Sequence, residues 1–242
     1  MDLGEVAERN RQERIVSNEY PGRGIIVGLS PSGAKLVQVY WIMGRSENSQ
    51  NRVFVLERDV VRTEPHEPAK CADPSLIIYR AIARYQHFHI VSNGDQTDTI
   101  LQSLRSGFDF ESALCTRTYE PDPPNFTPRI SGMLVFDPAY PSYKLSILKA
   151  GRQDPDFPEA HFFAYDRFMP GFGHCIHTYK ENGNPIPSFE GEPYVVPIPE
   201  QIGDIASCYW DALDSKYRIS LAVKTIDACT EAINYQIINR WE

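Results

Sequence analysis

The 242-residue sequence predicts an α+β protein dominated by packed β-sheets. Short runs rich in Ile and Val recur along most of the chain, and residues typical of turns separate them, which is the pattern of β-strands. Only two segments, 97–106 and 202–214, show clear helical spacing of their apolar residues. Because no linker rich in Gly or Ser interrupts the chain, we expect one domain over residues 21–242, preceded by an N-terminal arm over residues 1–20.

Antiparallel strands are expected in the first third of the chain. Residues 1–20 are polar and indicate either a short helix or a loose arm. The turn residues Ser30-Pro31-Ser32-Gly33 connect the first two apolar runs into a hairpin. Residues 64–74 contain several prolines and indicate a loop. The expected strands are Gly24–Leu29, Lys35–Met43, Val53–Glu57, 60–63 and two within 76–91, where helical spacing and a turn signal compete.

The rest of the chain is expected to alternate strands and long loops with the two helices. Asp95 or Thr97 can cap the first helix, whose Ile100 and Leu104 share one face, and Gly107 ends it. Polar or proline-rich loops are expected over 119–127, 151–160 and 180–200. The expected strands are 128–136, 143–148, 162–165, 175–179 and 218–226.

Bulk composition limits the classes of partner. The net charge of −8 argues against sequence-independent binding to nucleic acid, which needs a basic face. No apolar run approaches the ~20 residues that span a bilayer, so we expect no membrane partner. The acidic N-terminus has no apolar signal core after it, which favours a cytoplasmic protein. A local arginine cluster can still bind an anionic small molecule, because local charge can override the global sign.

The metal-binding and redox residues do not form a recognisable site. The five cysteines are widely spaced, form no CxxC motif and are odd in number, so we expect reduced thiols rather than zinc ligands or disulfides. His174 and His177 would face opposite sides of a strand, and His87 and His89 lack further ligands. Gly171-Phe172-Gly173 lacks the third glycine of a dinucleotide loop. These residues therefore predict neither a metal site nor a dinucleotide-binding loop.

The polar loop at residues 44–52 is the strongest local indication of a binding site. It lies between two predicted strands and contains two Arg, two Asn and two Ser but no aliphatic residue. The guanidinium groups of Arg45 and Arg52 offer planar charged forks that match phosphate or carboxylate oxygens. A solvated hairpin connection is the alternative interpretation of this loop.

An ordered set of polar motifs runs from about residue 20 to 136. The set resembles the archaeal-type inosine monophosphate (IMP) cyclohydrolase family, although no single motif is specific. Beyond residue 136 the resemblance is looser and rests on Gly171, Gly173 and Leu221-Ala222-Val223. The motifs are Gly22-Arg23-Gly24 followed by 25–28, Arg45-Ser46 through Asn51-Arg52, Val91-Ser92-Asn93-Gly94 with Thr97-Asp98, and Tyr119-Glu120 leading to Thr127-Pro128-Arg129-Ile130.

The resemblance implies an N-terminal-nucleophile-hydrolase-like fold, a four-layer αββα sandwich of two mostly antiparallel sheets. It also implies the last step of de novo purine biosynthesis, in which 5-formamidoimidazole-4-carboxamide ribotide closes to IMP and releases water, without a cofactor. Met1-Asp2 departs from the pattern of that fold, because it offers no N-terminal Cys, Ser or Thr nucleophile. Ring closure needs none, because the carboxamide nitrogen of the substrate itself attacks the formyl carbon.

Three residues match positions where the resemblance implies catalysis. Arg45 would anchor or polarise the substrate, and Tyr79 would orient it or relay a proton. Glu120 would transfer protons, because partial burial can raise the pKa of a glutamate into a suitable range. The structural alternatives are a surface arginine, a core tyrosine and a loop glutamate paired with Arg129.

Five further residues are candidates for substrate binding: Arg52, Asn93, Gly94, Arg129 and Lys224. Each also has a structural alternative. Arg52 could pair with Glu47 or Glu57, the Asn-Gly pair could be a plain turn, and Arg129 could hold phosphate or lock Glu120. Lys224 stands out on an otherwise apolar strand, where it could reach substrate or extend to the surface.

The sequence therefore favours an IMP cyclohydrolase whose partner is a small ribonucleotide. Two alternatives stay open, namely an amide hydrolase of the same fold and a non-catalytic nucleotide-binding protein that kept the fold. Residues 151–200 depart most from the family pattern and could change substrate choice. A homo-oligomer is compatible with the sequence, which does not specify the number of subunits.

Overall fold

Thirteen strands in two antiparallel sheets dominate the computed structural model, which describes residues 2–71 and 77–241. The first sheet has the order β11-β10-β1-β2-β12-β13. The central strand β2 carries a nearly continuous apolar run because both of its faces are covered. The strands of this sheet are β1 Gly24–Leu29, β2 Lys35–Met43, β10 Phe172–His177, β11 Tyr194–Pro197, β12 Arg218–Asp227 and β13 Ile233–Asn239.

The second sheet follows sequence order from β3 to β9, so each strand pairs with the next along the chain. It faces the first sheet across a shared core, where the Gln38 side chain of β2 donates to the His89 carbonyl oxygen at 3.0 Å. The strands are β3 Val53–Glu57, β4 Val60–Glu64, β5 Arg80–Tyr85, β6 Phe88–Ser92, β7 Arg129–Val135, β8 Ser142–Lys149 and β9 Glu159–Tyr165.

Helices cover the outer faces of both sheets and complete four layers. Helices α1 and α5 lie against the first sheet, while α3 and α4 bury a second apolar cluster, including Ile100 and Phe110, on the second sheet. No helix within the described residues is long and apolar enough to cross a membrane. The helices are α1 Leu3–Arg11, a π-helix Gln12–Val16, α2 Glu47–Gln50, a 3-10 turn Pro68–Lys70, α3 Gln96–Arg105, α4 Phe110–Leu114 and α5 Ile202–Ala212.

This architecture confirms the predicted α+β class with two antiparallel sheets. The predicted bounds of β1, β2 and β3 agree with the structure, and the ambiguous region beyond residue 76 forms two strands. Residues 72–76, where part of that prediction and of the 64–74 loop fall, lie outside the described residues. The N-terminal segment is helical rather than loose, because Ala7 and Ile15 are buried and the Asn10 amide donates to Val195.

Several element predictions were incomplete. Strand β13 was missed, although its first five residues alternate between partly buried and exposed positions at the edge of the sheet. Helix α4 is only five residues long, which is too short for a helical period to be visible in the sequence. Strand β9 begins inside the predicted 151–160 loop, and β10 begins at Phe172 and ends at His177 rather than spanning 175–179.

Candidate functional site

A cleft of about 210 Å³ opens where the β2–β3 connection meets the start of β1. Two loop segments from elsewhere in the chain, around residues 122–127 and 179–186, form its other wall. The cleft therefore collects side chains from four separate stretches of sequence. It is lined by Tyr20, Gly22, Arg23, Met43, Arg45, Ser46, Ser49, Arg52, Asp122, Asn125, Thr127, Tyr179 and Ile186.

A larger cavity of about 590 Å³ lies nearby, beside the π-helix. Its charged lining is predominantly acidic, with four glutamates against Arg14 and Lys180. None of the predicted site residues lines it. The smaller cleft is therefore the better candidate for an anionic ligand, because arginines outnumber acids along its walls.

The loop at residues 44–52 is a folded element rather than an open connection. Ser46 caps the short helix α2, accepting a hydrogen bond from the Ser49 N–H while its own N–H donates to the Ser49 hydroxyl. Gly44 is required by close packing, since a Cβ there would lie 2.4 Å from the Ser49 Oγ. The cap and the helix fix the direction in which Arg52 leaves the loop.

Arg52 is a buried cation without a carboxylate partner. Its side chain is only 1% exposed, and it donates from Nε to the Ser49 carbonyl at 2.7 Å. No carboxylate of the described residues lies within 4 Å of its guanidinium, and Glu57 pairs with Arg62 instead. Burial, and then the nearby charge of Arg23, lowers the pKa of Arg52. A bound anion would relieve this uncompensated charge.

Arg45 is exposed and spans the mouth of the cleft. Its Nη1 donates at 2.7 Å both to the Asn182 side-chain oxygen and to the Gly183 carbonyl. Its guanidinium lies 5.4 Å from the centre of the Tyr20 ring. As with the buried arginine, no carboxylate in the described part of the chain lies within 4 Å of it. Its hydrogen bonds to neutral groups can be exchanged for a charged ligand, which is a stronger acceptor.

Glu120 forms a buried ion pair with Arg23. The Arg23 Nη1 lies 3.1 and 3.0 Å from the two carboxylate oxygens, and the Glu120 side chain is only 2% exposed. Burial raises the pKa of Glu120 above its usual value, although the charges of Arg23 and Arg129 oppose that rise. Burial by itself would lower the pKa of Arg23, but the charge of Glu120, together with smaller contributions from Tyr79, Tyr179 and Tyr40, outweighs it, and the pKa lies well above its usual value.

The expected alternative, in which Arg129 locks Glu120, was wrong. Arg129 instead donates from Nη1 to Asp95 at 2.7 Å and to Gln96 at 2.8 Å, because the start of α3 lies directly beside it. The actual partner of Glu120, Arg23, was not among the predicted site residues. Arg23 was part of the motif Gly22-Arg23-Gly24, but nothing in the sequence indicated that it would contact a glutamate 97 positions away.

Tyr79 is paired with a second tyrosine in the core between the sheets. Its hydroxyl lies 2.7 Å from the Tyr40 hydroxyl, and its backbone N–H donates to Thr63. Burial, followed by the neighbouring Tyr79, raises the pKa of Tyr40 well above its usual value. The pair lies close to the cleft arginines, since both hydroxyls contribute to the electrostatics of Arg23 and Arg52. Neither tyrosine lines the cleft itself.

Asn93 and Gly94 form a turn behind Glu120. The Asn93 oxygen accepts from the Ile130 N–H at 2.8 Å, and its amide donates to the Pro128 carbonyl at 2.9 Å, so the side chain joins the turn to β7. A Cβ on Gly94 would lie 2.7 Å from the Arg129 Nη1 and 3.6 Å from the Glu120 Oε1. A larger residue at this position would therefore require the Arg129 side chain to shift. Neither residue lines the cleft.

Lys224 lies between the two sheets and away from the cleft lining. It is fully buried rather than extended to the surface, because β12 lies inside its sheet between β2 and β13 and carries the side chain into the interior. Its Nζ lies 2.9 Å from the His89 Nδ1, and the His89 Nε2 lies 3.1 Å from the Glu231 carboxylate. Burial, and then the charge of Arg84, lowers the pKa of Lys224 to about 7.

The histidines singled out in the sequence have other partners. His174 Nδ1 meets the Tyr143 hydroxyl at 2.5 Å, and His177 Nδ1 meets the Tyr179 carbonyl at 2.7 Å. Among residues 2–71 and 77–241, no group of three or more His, Cys, Asp or Glu side chains is arranged to hold a metal ion. The polar lining of the cleft itself includes three arginines, several hydroxyl groups and the carboxylate of Asp122.

Comparison with known proteins points to one family. The family described as IMP cyclohydrolase-like protein matches residues 20–231. The IMP cyclohydrolase of Methanococcus maripaludis strain C6 is 31% identical over 129 residues, which cover 51% of this chain and 62% of that protein. Those of strains C5 and C7 are 30% and 31% identical over the same lengths. The chain thus spans less than two thirds of the curated relatives that it matches.

Proposed function

Because the chain belongs to the IMP cyclohydrolase-like protein family, we propose that it is a cytoplasmic IMP cyclohydrolase of de novo purine biosynthesis. It closes 5-formamidoimidazole-4-carboxamide ribotide to IMP and releases water. One observation carries the proposal: Arg45 and Arg52, neither of which has a carboxylate partner, line the same cleft as Arg23, which holds Glu120. An anionic ligand with a proton-transfer step in its chemistry fits this arrangement.

Arg45 and Arg52 anchor the ribose phosphate. A phosphate dianion accepts paired hydrogen bonds from guanidinium groups and compensates the buried charge of Arg52. Arg45 exchanges its bonds with Asn182 and Gly183 for the ligand, and the mouth of the cleft then lies over the phosphate. The base of the nucleotide is thereby directed toward the Arg23–Glu120 pair.

Glu120 carries the proton transfers. Ring closure moves two protons: the attacking carboxamide nitrogen and the formamido nitrogen each lose one, and the formyl oxygen gains both before it leaves as water. The raised pKa of Glu120 makes its carboxylate a stronger base, and Arg23 holds it in one orientation. After accepting the nitrogen proton, the same carboxyl can return a proton to the leaving oxygen. Arg129, Asn93 and Gly94 support this step indirectly by holding the turn behind the glutamate.

Tyr79 and Arg23 position the reacting groups. Holding a weakly nucleophilic amide against the formyl carbon removes much of the barrier to ring closure. The negative charge that develops on the formyl oxygen needs a fixed donor, and the Arg23 guanidinium is the one nearest to Glu120. The Tyr40–Tyr79 hydroxyl pair lies behind the cleft wall, where it acts on the Arg23 guanidinium rather than on the substrate directly.

The deciding experiment mixes the purified protein with the formamido ribotide and follows the absorbance of IMP. We expect IMP to form well above the uncatalysed rate, with saturation in substrate. Formation at the uncatalysed rate would refute the proposed activity. A parallel titration with IMP separates the remaining cases, since binding without turnover would identify a non-catalytic nucleotide-binding protein instead.

A further inference from the structure

Three side chains along one wall of the cleft form a continuous hydrogen-bonded chain. The Tyr179 hydroxyl lies 2.5 Å from the Thr127 Oγ1, and the same Oγ1 lies 2.5 Å from the Asp122 Oδ2. All three residues line the cleft. Thr127 and Tyr179 are buried, whereas Asp122 is partly exposed, so the chain leads from the cleft wall toward solvent.

The direction of every hydrogen bond in this chain follows from the chemistry of the groups. An ionised aspartate can only accept, so the single Thr127 hydroxyl proton points to Asp122. The Thr127 oxygen must then accept from Tyr179, whose O–H donates to it. The Asp122 Oδ1 accepts separately from the Thr127 N–H at 2.7 Å, which fixes the carboxylate in place. The Tyr179 oxygen keeps a lone pair for a donor in the cleft.

These hydrogen-bonded side chains also lie beside Arg23 and Glu120, the catalytic pair of the proposed reaction. Arg23 influences the pKa values of both Glu120 and Tyr179, so the guanidinium lies close to each of them. The backbone at Gly22 packs closely against the Tyr179 ring. A Cβ at this position would lie 2.5 Å from the ring, and the φ of +76° suits glycine. The Tyr179 ring is further held by stacking on Tyr20, with ring centres 5.8 Å apart.

We propose that Tyr179, Thr127 and Asp122 form a proton relay between the cleft and solvent, which serves the ring closure assigned to this site under the proposed function. A proton from a donor in the cleft bonds to the Tyr179 oxygen. The Tyr179 proton passes to Thr127, and the Thr127 proton passes to Asp122. Each hydroxyl oxygen gains one O–H bond and loses one, and the carboxylate becomes a carboxyl group that can release its proton to water.

The relay solves a problem that the buried pair leaves open. Glu120 is almost completely removed from solvent and held by Arg23, so it has no direct exchange of protons with water. The reaction removes one proton from each of two nitrogens and adds both to the formyl oxygen. When a proton leaves nitrogen before the oxygen can accept it, a second group must hold it. After one transfer, every hydrogen bond of the relay has reversed its direction. The Tyr179 O–H then points into the cleft and can return a proton to the leaving hydroxyl.

The test compares Y179F, T127V and T127S with the wild type for turnover of the formamido ribotide. Thr127→Val keeps the shape of the side chain and removes the hydroxyl, whereas Thr127→Ser keeps it. Loss of the relay should lower kcat by about 100-fold, the low end of general acid–base catalysis, in Y179F and T127V. KM and the Kd of IMP should change by less than about threefold, because the phosphate contacts are unaffected. T127S should recover most of the turnover.

Two controls make the outcome decisive. Thr116→Val at an exposed position outside the cleft is the matched threonine-to-valine change, and thermal unfolding of all variants reports loss of structure. If the wild type turns over the ribotide and T127V is equally fast, the relay is refuted and the proposed function stands. T127S as slow as T127V would also overturn the relay. A wild type that makes no IMP would overturn both proposals.

Discussion

The Arg23 guanidinium contacts both carboxylate oxygens of Glu120, at 3.1 and 3.0 Å, although the two residues are 97 positions apart. The pair joins the residue just before β1 of one sheet to the loop that precedes β7 of the other. The Glu120 side chain is nearly excluded from water, whereas that of Arg23 is 13% exposed. The ion pair therefore helps to hold the two sheets together. It depends on the negative charge of Glu120, which is the group proposed to transfer protons.

Glu120→Gln should lower turnover of the ribotide far more than it weakens binding. The amide is nearly isosteric but cannot accept and return a proton, so a loss of about 100-fold or more in kcat is expected. Steady-state kinetics and a titration with IMP measure the two quantities. Glu111→Gln, which interrupts a half-exposed ion pair with Lys144, is the matched control and should leave kcat near the wild-type value. Unchanged turnover in E120Q would remove this residue from the mechanism.

Arg23→Met should destabilise the protein by about 3–5 kcal/mol, because it leaves Glu120 buried and without its cation. Unfolding in denaturant measures the change. The double variant R23M/E120Q should recover part of the loss, since the uncompensated charge is then also removed. Arg62→Met, which interrupts exposed ion pairs with Glu57 and Glu64, should cost only about 0–1 kcal/mol. An R23M variant as stable as R62M would show that the buried pair is not held as described.

Arg52→Met should abolish the stabilisation of the protein by phosphate ligands. In the wild type, ligand at about 100 times its Kd should raise the free energy of unfolding by about 2.7 kcal/mol. The variant should lose most of that increase, because the buried guanidinium without a carboxylate is its source. Thermal unfolding with and without IMP measures this, and R62M is again the control. Equal stabilisation of R52M and wild type would place the phosphate elsewhere.

Local sequence was sufficient for the bounds of three strands but not for the pairing of charges. Strands β1, β2 and β3 could be predicted to the residue because apolar runs and turn residues mark their ends within a few positions. The loop arginines were identified by composition, yet whether Arg52 pairs with Glu57 depends on which way β3 turns that glutamate. Partners such as Arg23 with Glu120, or Lys224 with His89, are set by the packing of the two sheets. No local pattern contains that information.

The burial of Lys224 between the sheets predicts that stability depends on pH in a specific window. The pKa of Lys224 is lowered from 10.5 to about 7 by burial and by Arg84, while Asp59 and Glu231 oppose the shift. Between about pH 7 and pH 10, the unfolded chain therefore binds a proton at this lysine that the folded chain does not bind. Stability should rise with pH across this window, by up to about 1.4 kcal/mol per pH unit from this group.

His89 acts in the same direction at lower pH. Burial, and then the charge of Lys224, lowers its pKa from 6.5 to about 2, so the unfolded chain alone binds that proton below about pH 6.5 and stability falls as pH is lowered further. Denaturant unfolding of wild type and K224M from pH 7 to pH 10 isolates the lysine, because every other group is shared. The wild-type curve should rise more steeply than that of K224M. Lys144→Met, which removes a half-exposed lysine, should keep the wild-type slope. Identical slopes in wild type and K224M would mean that Lys224 is not held neutral at neutral-to-basic pH by the contact between the sheets.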